Sequence, residues 1–358
     1  MSTKLRLASF NVENLFSRAK VFTFKNQAAG DKKQEIIGRL QAELEKSVYD
    51  KPTILSLYNQ VKDYVSIRED RDKFWKGRGY AAIEANGVDD WDGSLVYKKA
   101  VFADLTRENT AKVINKINAD VLCLVEVEDK PTLSAFDSHL LKSKYKYDML
   151  IDAFDPRGID VALYSKFTLG GVTTHMYDEG PKGRIFSRDC LDVEVILPDK
   201  RNLHVLCNHL KSRGYGSTPE NDAKRKLQAQ EIVKIVTKKY DLDRDLVVVA
   251  GDFNDTPKSE ALKPLLGLDG LKDVLAMQFP DNPEKRWTYH YKTNDQIDFI
   301  LVSRPLQMMF VKAGVMRNGM YDLSKYSNGE EKSFDTVTSG ANAASDHGAV
   351  WADFMITT

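Results

Sequence analysis

The chain has 358 residues, which is enough for one large domain or two ordinary ones. With 42% hydrophobic and 29% charged residues, its composition excludes a chain that is disordered throughout and is typical of a globular protein with a large core. The 52 Lys and Arg residues balance the 52 Asp and Glu residues, so the net charge neither favours nor excludes a polyanionic partner.

The cysteines and the chain start indicate the compartment. Cys123, Cys190 and Cys207 are far apart in sequence and form no CxxC pair, which is typical of buried thiols in a reducing compartment. The start, MSTKLRLASF, alternates like a strand and lacks the apolar region of a secretory leader. No apolar stretch approaches the roughly 20 residues of a membrane span. We therefore expect a cytoplasmic protein without a membrane span, unless a leader has been removed.

The predicted strands are short runs with high β-propensity. They cover residues 5–10, 120–127, 160–165, 190–197, 202–210, 246–253, 297–303 and 349–356. Helical patterns lie between several of them, at 107–118, 218–240 and 259–267, and Thr218 with Pro219 gives the second helix a good N-terminus. This order predicts β-sheets covered by helices, in an α+β or layered α/β arrangement.

Two segments differ from this pattern. Residues 17–106 are polar, with helical pieces, and residues 314–345 are rich in Gly, Asn and Ser. We interpret them as a largely helical insertion and a long loop insertion in one domain that covers residues 1–358. Loops of this length are often functional lids, and disorder is the competing interpretation.

Polar residues cluster at the ends of the predicted strands. Burying one unpaired carboxylate is costly or shifts its pKa, so a repeated occurrence indicates a site and not an accident. The residues are Asn11, Glu13, Glu126, His209, Asp252, Asn254, Asp298, Asp346 and His347.

These residue types indicate a class of ion and of chemistry. Carboxylate and carboxamide oxygens without a cysteine cluster favour Mg²⁺ or Mn²⁺ over zinc, and Glu126 is the best single ligand candidate. The histidines suit acid–base chemistry or phosphate contact near neutral pH. A metal, a histidine and amide donors together indicate attack of water on a phosphorus ester. The two-residue spacing of Asp252 and Asn254 is expected to place both side chains on one face of an extended chain.

Six motifs resemble, in order, those of the endonuclease/exonuclease/phosphatase superfamily: SFNVENLF, LVEVED, NHLKSR, GDFNDTP, DQIDFILVS and SDHG. That group includes pancreatic-type DNase, exonuclease III, neutral sphingomyelinases and inositol polyphosphate 5-phosphatases. The resemblance extends from Leu5 to Phe354 and is interrupted by the two insertions. It implies a four-layer α/β sandwich, in which two packed mixed β-sheets are flanked by helices, with one active site at one end.

The resemblance also implies a metal site. Glu126 would hold the divalent metal, Mg²⁺ or Mn²⁺, with Asn11, Glu13 and Asp346 in its first or second shell. For Glu13, a role near a helix N-terminus or at the surface stays open.

The resemblance further implies the catalytic roles. His347 would be the catalytic histidine, oriented by Asp298, and Asp252 would position or deprotonate the attacking water. Asn254 and His209 would donate hydrogen bonds to the non-bridging phosphate oxygens. Which of Asp252 and His347 is the general base stays open.

Four basic residues are candidates for contacts to flanking phosphates. They are Lys211 and Arg213 after His209, Arg225 on the predicted long helix, and Arg157 before a strand. Solvated surface charges are the alternative interpretation of each.

The resemblance therefore implies a metal-dependent phosphodiesterase. We expect a nuclease with DNA as its substrate partner, because NHLKSR and its neighbouring basic helix resemble the bacterial nuclease branch. The alternatives are a phosphoesterase of a small molecule or lipid headgroup and a binding protein without activity. No protein partner is predicted.

Overall fold

A computed structural model describes residues 2–17, 19–22, 27–69, 73–77, 80–100, 102, 104–214 and 218–357. The chain divides into two compact units. The larger unit comprises Met1–Phe16 and Phe102–Thr358, and the smaller unit is Ser17–Val101. The smaller unit takes up most of the predicted 17–106 insertion, whose last residues belong to the larger unit.

The strands of the described chain are numbered in sequence order. They are β1 (Ser2–Leu15), β2 (Val65–Glu69), β3 (Gly93–Tyr97), β4 (Val121–Val127), β5 (Tyr147–Leu150), β6 (Asp160–Ser165), β7 (Thr168–Thr173), β8 (Glu179–Gly180), β9 (Gly183–Arg184), β10 (Cys190–Ile196), β11 (Asn202–His209), β12 (Leu246–Asp252), β13 (Lys272–Asp273), β14 (Tyr289–His290), β15 (Asn294–Asp295), β16 (Asp298–Val302), β17 (Phe310–Met316) and β18 (Ala349–Thr357).

The α-helices are numbered in the same way. They are α1 (Gln27–Leu44), α2 (Lys51–Val61), α3 (Leu105–Ile117), α4 (Lys130–Phe136), α5 (Thr218–Lys239), α6 (Lys263–Leu266), α7 (Val274–Gln278), α8 (Arg304–Met309) and α9 (Leu323–Tyr326). The segment 314–345, predicted as one long loop, begins inside β17 and contains α9 and a short 3₁₀ turn, Gly340–Asn342.

Two six-stranded mixed sheets form the larger unit. Their strand orders are β17-β18-β1-β4-β6-β5 and β13-β16-β12-β11-β10-β7. Each contains one parallel pair at its centre, β1 with β4 and β11 with β12, and the other neighbouring strands are antiparallel. The central strands of both sheets are the strands that the sequence predicts.

Both faces of each sheet are covered, which gives four layers. The sequence of β4 is almost entirely apolar because successive side chains point to opposite faces of the sheet and both faces are buried. Val121 and Cys123 enter the core between the two sheets, whereas Leu122 and Leu124 pack on the outer side with residues of α3 and α4. On the second sheet, residues of α5 and α6 cover the outer face. The predicted four-layer α/β sandwich is confirmed.

The smaller unit has a hydrophobic core of its own. Helices α1 and α2 pack with the antiparallel pair β2 and β3 around buried residues such as Leu40, Ile54 and Phe74. Asp50 caps α2 by accepting a hydrogen bond from the backbone of Thr53. A segment that reads as polar in sequence therefore folds as a compact unit.

A search of the described residues for long apolar helices finds none that could cross a membrane.

Gly251 allows the parallel strands β11 and β12 to approach each other closely at their carboxyl ends. Its φ is +139°, and a Cβ atom there would lie 1.8 Å from the backbone oxygen of Asn208 on the neighbouring strand. Only glycine adopts this conformation without strain. The strand ends β11 and β12, which carry His209 and Asp252, therefore depend on this residue.

We expect Gly251→Ala to lower the free energy of unfolding by more than about 2 kcal/mol, because the added carbon collides with backbone that cannot move aside. Urea unfolding measures this. The matched control is Gly171→Ala on β7, where the nearest atom to a Cβ is 3.7 Å away, and its expected effect is within about 0.5 kcal/mol. Equal effects of the two substitutions would contradict the prediction.

Candidate active site

The polar ends of the central strands meet in one cleft of the larger unit. Strands β1, β4, β11 and β12 bring their carboxyl ends to the same edge, and antiparallel β16 and β18 start there. The cleft has a volume of about 670 Å³. Its lining residues are Glu126, Arg157, His209, Ser212, Arg213, Gly214, Asp252, Asn254, Tyr289, Tyr291, Lys292, Thr293, Asp295, Ile297, Asp346 and His347.

A buried histidine–carboxylate pair lies at the cleft. His347 Nδ1 is 2.8 Å from Asp298 Oδ2, and both side chains are almost fully buried. Burial alone would lower the pKa of His347, but the carboxylates of Asp298, Asp346 and Asp252 together raise it well above the usual value. The imidazole is therefore held in a fixed orientation, and its Nε2 atom remains available for proton transfer.

The backbone of this pair is held by two hydroxyl groups. The Ser345 hydroxyl accepts from the backbone N–H of His347 and donates to the carbonyl of Asn11 on β1. The Thr288 hydroxyl accepts from the backbone N–H of Asp298 at 3.1 Å. Neither hydroxyl was singled out from sequence, although Ser345 stands in the SDHG motif.

Asp252 is the centre of the hydrogen-bond network. It accepts from the backbone and the side-chain amide of Asn254 at 2.7 and 3.0 Å, and from the amide of Asn11 at 3.2 Å. Burial and the nearby carboxylate of Asp298 raise the pKa of Asp252 to about 7. Asp252 is therefore placed to exchange a proton near neutral pH.

The proximity of Asp252 and Asn254 has a different cause from the expected one. Strand β12 ends at Asp252, and Asn254 has a φ of 57°, in the left-handed region that asparagine tolerates better than most residues. A tight turn and not strand alternation therefore brings the two side chains together.

His209 lies beside the carboxylates. Its Nε2 is 3.6 Å from Asp252 Oδ2 and 3.9 Å from Glu126 Oε1. Burial, followed by the charge of Arg188, lowers the pKa of His209 well below its usual value, so the ring is neutral. Its Nδ1 atom is buried and has no hydrogen-bond partner among the described residues.

Sequence reasoning missed Arg188. Its side chain is buried, and it donates to the carbonyl of Leu210, next to His209, at 3.1 Å. The one available signal was an arginine directly before an apolar strand, which in most proteins is a surface residue.

The predicted metal ligands hydrogen-bond to backbone groups at the end of β1 and just before β18. Glu126 Oε2 accepts from the backbone of Asn14, and Glu13 Oε2 accepts from the backbone of Asp346. Asn11 is buried and turns its amide oxygen toward the backbone of Glu13. Burial and the charge of Asp346 raise the pKa of Glu13 to about 7, although the charges of His347 and Arg107 act in the other direction.

Two further observations bear on a metal. Glu126 and Glu13 have φ of 69° and 48°, a strained conformation that is concentrated at functional sites. In the described part of the chain, the acidic and histidine side chains whose ligand atoms converge are Asp252, Asp298 and His347, which bring one atom each within 4.8 Å of one another. His347 Nδ1 and Asp298 Oδ2 already bond each other in that group, so a cation there would displace the hydrogen bond that orients the imidazole. The carboxylate and amide oxygens of Glu126 and Asn11 are the donor types that a hard cation prefers.

The four basic candidates occupy different places. Arg157 and Arg213 line the cleft, whereas Lys211 and Arg225 are not among its lining residues. The side chain of Arg225 is completely buried, so the expected contact with a substrate is not available to it.

One further wall of the cleft is only weakly indicated by the sequence. The β14–β15 hairpin carries Tyr289, Tyr291 and Lys292 into the lining. The Tyr289 ring packs on the ring of His347 with centroids 4.9 Å apart. The RWTYHY stretch is aromatic, but its sequence alone fits core packing equally well.

A sequence profile of the Endonuclease/Exonuclease/phosphatase family matches residues 97–347, which is more than half of the chain. The chain belongs to this family, and the predicted resemblance is confirmed. Enzymes of the family are divalent-metal-dependent hydrolases of phosphodiester bonds, which places the chain in that general class. The comparison with curated protein sequences found no match.

Solved structures share the fold. Truncated TDP2 from Caenorhabditis elegans is 20% identical, with a TM-score of 0.50, over 70% of this chain and 91% of that one. The endonuclease/exonuclease/phosphatase from Bacteroides vulgatus is 12% identical, with a TM-score of 0.52, over 99% and 100% of the two chains. SmcL is 14% identical, with a TM-score of 0.51, over 99% of each chain. At these identities the likeness establishes the fold alone.

We expect Asp298→Asn to lower kcat by about 10²- to 10⁴-fold, because His347 loses its orienting carboxylate. The same change removes a charge that raises the pKa of His347, so the limb of the pH–rate profile that reports this histidine moves to lower pH. Initial rates across pH measure both effects. Asp281→Asn, at an exposed carboxylate, is the control, and an unshifted profile in Asp298→Asn would contradict the assignment.

Proposed function

We propose that the protein is a divalent-metal-dependent nuclease that hydrolyses the phosphodiester bonds of DNA. The observation that carries this proposal is the joint placement of the His347–Asp298 pair, Asp252, Asn254 and His209 beside Glu126 in one cleft. Each class of group that phosphodiester hydrolysis requires is present there: a proton acceptor, an oriented imidazole, amide donors and oxygen ligands for a cation.

Asp252 and His347 would carry out the two proton transfers of the reaction. Asp252, with a pKa of about 7, accepts the proton of a water molecule that is placed in the cleft. His347, oriented by Asp298 through Nδ1, holds or delivers a proton through Nε2 on the leaving-group side. The roles of Asp252 and His347 could be exchanged without any change in their positions.

Negative charge that develops on the phosphate oxygens requires fixed donors. The side-chain amide of Asn254 donates to Asp252 and to the carbonyl of Leu210, and it would donate to a phosphate oxygen in place of one of these acceptors. His209, which is neutral, would offer an N–H without adding a full charge. Glu126 with Asn11, Glu13 and Asp346 would hold Mg²⁺ or Mn²⁺, whose positive charge stabilises the same oxygens.

The cleft lining supports a nucleic-acid substrate. Arg157, Arg213 and Lys292 supply positive charge for a phosphate backbone, and Tyr289 and Tyr291 offer ring faces for bases. Tyr291 is 74% exposed, so its ring is accessible to a ligand.

One observation favours a second candidate, a phosphoesterase of a small molecule or lipid headgroup. The basic residues of the lining are accompanied by the carboxylates of Glu126, Asp252, Asp295 and Asp346, so the cleft as a whole is not strongly positive. A small diester would fit such a cleft without a long polyanion beside it.

The test is hydrolysis of supercoiled plasmid and of bis-p-nitrophenyl phosphate with Mg²⁺ or Mn²⁺. We expect both substrates to turn over, EDTA to abolish the activity, and His347→Ala to reduce it by at least about 10²-fold. His139→Ala, at an exposed histidine outside the cleft, is the matched control and should retain full activity.

Three outcomes separate the candidates. Turnover of both substrates supports the nuclease. Turnover of the small diester alone supports the second candidate. Activity that survives in His347→Ala would contradict the site assignment for both.

A further inference from the structure

Helix α5 turns polar side chains toward the protein interior over its first half. Asn221, Arg225 and Gln228 are spaced four and three residues apart, which places them on one helix face. Their exposed fractions are 3%, 0% and 0%. Burial of an arginine and two amides is costly unless each finds hydrogen-bond partners, so this face must serve a specific contact.

That contact is the segment 211–214, which connects β11 to α5 and whose residues 212–214 line the cleft. Gln228 accepts from the backbone N–H of Lys211 at 2.8 Å, and Arg225 donates to the Lys211 carbonyl at 2.7 Å. Asn221 donates to the carbonyls of Arg213 and Gly214 at 3.1 and 3.2 Å. The helix face therefore fixes the backbone of the segment at both ends.

Asp255 links the buried arginine to a residue of the cleft. Its Oδ2 accepts from Arg225 Nε at 3.0 Å, and its Oδ1 accepts from an Nη of Arg213 at 2.6 Å. Asp255 belongs to the GDFNDTP motif but has no place among the catalytic groups. One carboxylate thus holds two guanidinium groups, the first buried and the second at the cleft.

Arg213 keeps most of its donors for a ligand. A guanidinium has five N–H donors, and within the described part of the chain one of them makes a hydrogen bond. The side chain is 47% exposed, and a second, longer ion pair joins its Nη1 to Asp295 Oδ2 at 3.7 Å. This arrangement suits a phosphate group that enters the cleft and forms a bidentate contact.

We propose that Arg213 binds a phosphate that flanks the scissile one, and that Arg225 is a positioning residue that holds Arg213 in place through Asp255 and the 211–214 backbone. The proposal rests on the proposed function and deepens it, because it gives the substrate a second phosphate. Arg225 itself does not touch the substrate.

The test compares two substrates, a single-stranded 10-nucleotide DNA and bis-p-nitrophenyl phosphate, which has no flanking phosphate. We expect Arg213→Ala and Arg225→Met each to lower the ratio of kcat/KM for the DNA to that for the small diester by about tenfold, the size of a charge-assisted hydrogen bond. The loss for DNA should lie in KM more than in kcat.

A double-mutant cycle separates positioning from independent action. If Arg225 acts through Arg213, the double variant has the ratio of Arg213→Ala alone. The slope of log kcat/KM against log salt should also fall by about 0.7 in each variant, the value for one phosphate of a single strand. The matched control is Lys226→Met, which removes an exposed charge from the neighbouring residue of the same helix and should leave ratio and slope unchanged.

Several results would overturn the proposal. Multiplicative effects in the double variant would mean that the two arginines act independently. Equal losses on both substrates would mean general damage to the site. If Arg225→Met does not fold, the cycle is run with Asp255→Asn, which cuts the same link.

The proposed function fails separately from this inference. A wild-type protein that hydrolyses neither substrate with any divalent metal contradicts the proposed function. A wild-type protein that hydrolyses bis-p-nitrophenyl phosphate but no DNA contradicts the proposed nuclease and this subsite together. A wild-type protein that cleaves DNA, with unchanged ratios in Arg213→Ala and Arg225→Met, retains the proposed function and contradicts the subsite alone.

Discussion

The active site depends on two carboxylates buried opposite each other. Asp252 on β12 and Asp298 on β16 are partners in the antiparallel register, and both are almost fully buried. Two buried like charges repel each other strongly, and His347, which bonds Asp298, supplies the compensating proton. Burial and the charge of Asp298 raise the pKa of Asp252 to about 7, and the carboxylates of Asp298, Asp346 and Asp252 raise the pKa of His347. The close packing of Asp252, Asp298 and His347 is the basis of the proposed proton transfer.

The sheet topology explains why these groups meet. A parallel pair at the centre of each sheet sends two carboxyl-terminal strand ends to one edge, and antiparallel neighbours begin at that same edge. Distant residues such as Asn11 and Asp252 therefore become hydrogen-bond partners across the two sheets at 3.2 Å. The apolar core between the sheets holds this edge in position and supplies most of the folding free energy. The polar groups at the edge can therefore include unfavourable charge pairs without unfolding the protein.

The sequence predicted the roles of residues that follow apolar strands. It did not predict roles that depend on whether a side chain is buried by a distant part of the chain. The central strands are apolar on both faces and were predicted, whereas β5, β7 and β17 lie at sheet edges, are partly exposed and were missed. The motif residues were found because acids and amides after apolar strands are unusual. Arg225 was misjudged because charges around a helix normally face solvent, and nothing in a period of 3.6 residues shows that a loop will fold over them.

Arg188, which was missed from sequence, and Arg225, whose role was predicted wrongly, have a common physical role. Arg188 and Arg225 are both buried, and they donate to the carbonyls of Leu210 and Lys211, the two residues that follow His209. An apolar residue of similar size would cost less to bury than a guanidinium, but it could not satisfy carbonyls at the end of a strand. Polar support therefore fixes the backbone direction at the point where β11 leaves the sheet, which sets where His209 and Arg213 stand relative to each other. A site that contacts several phosphate oxygens requires a fixed distance between His209 and Arg213. For such a site, this fixed geometry matters more than a small gain in folding stability.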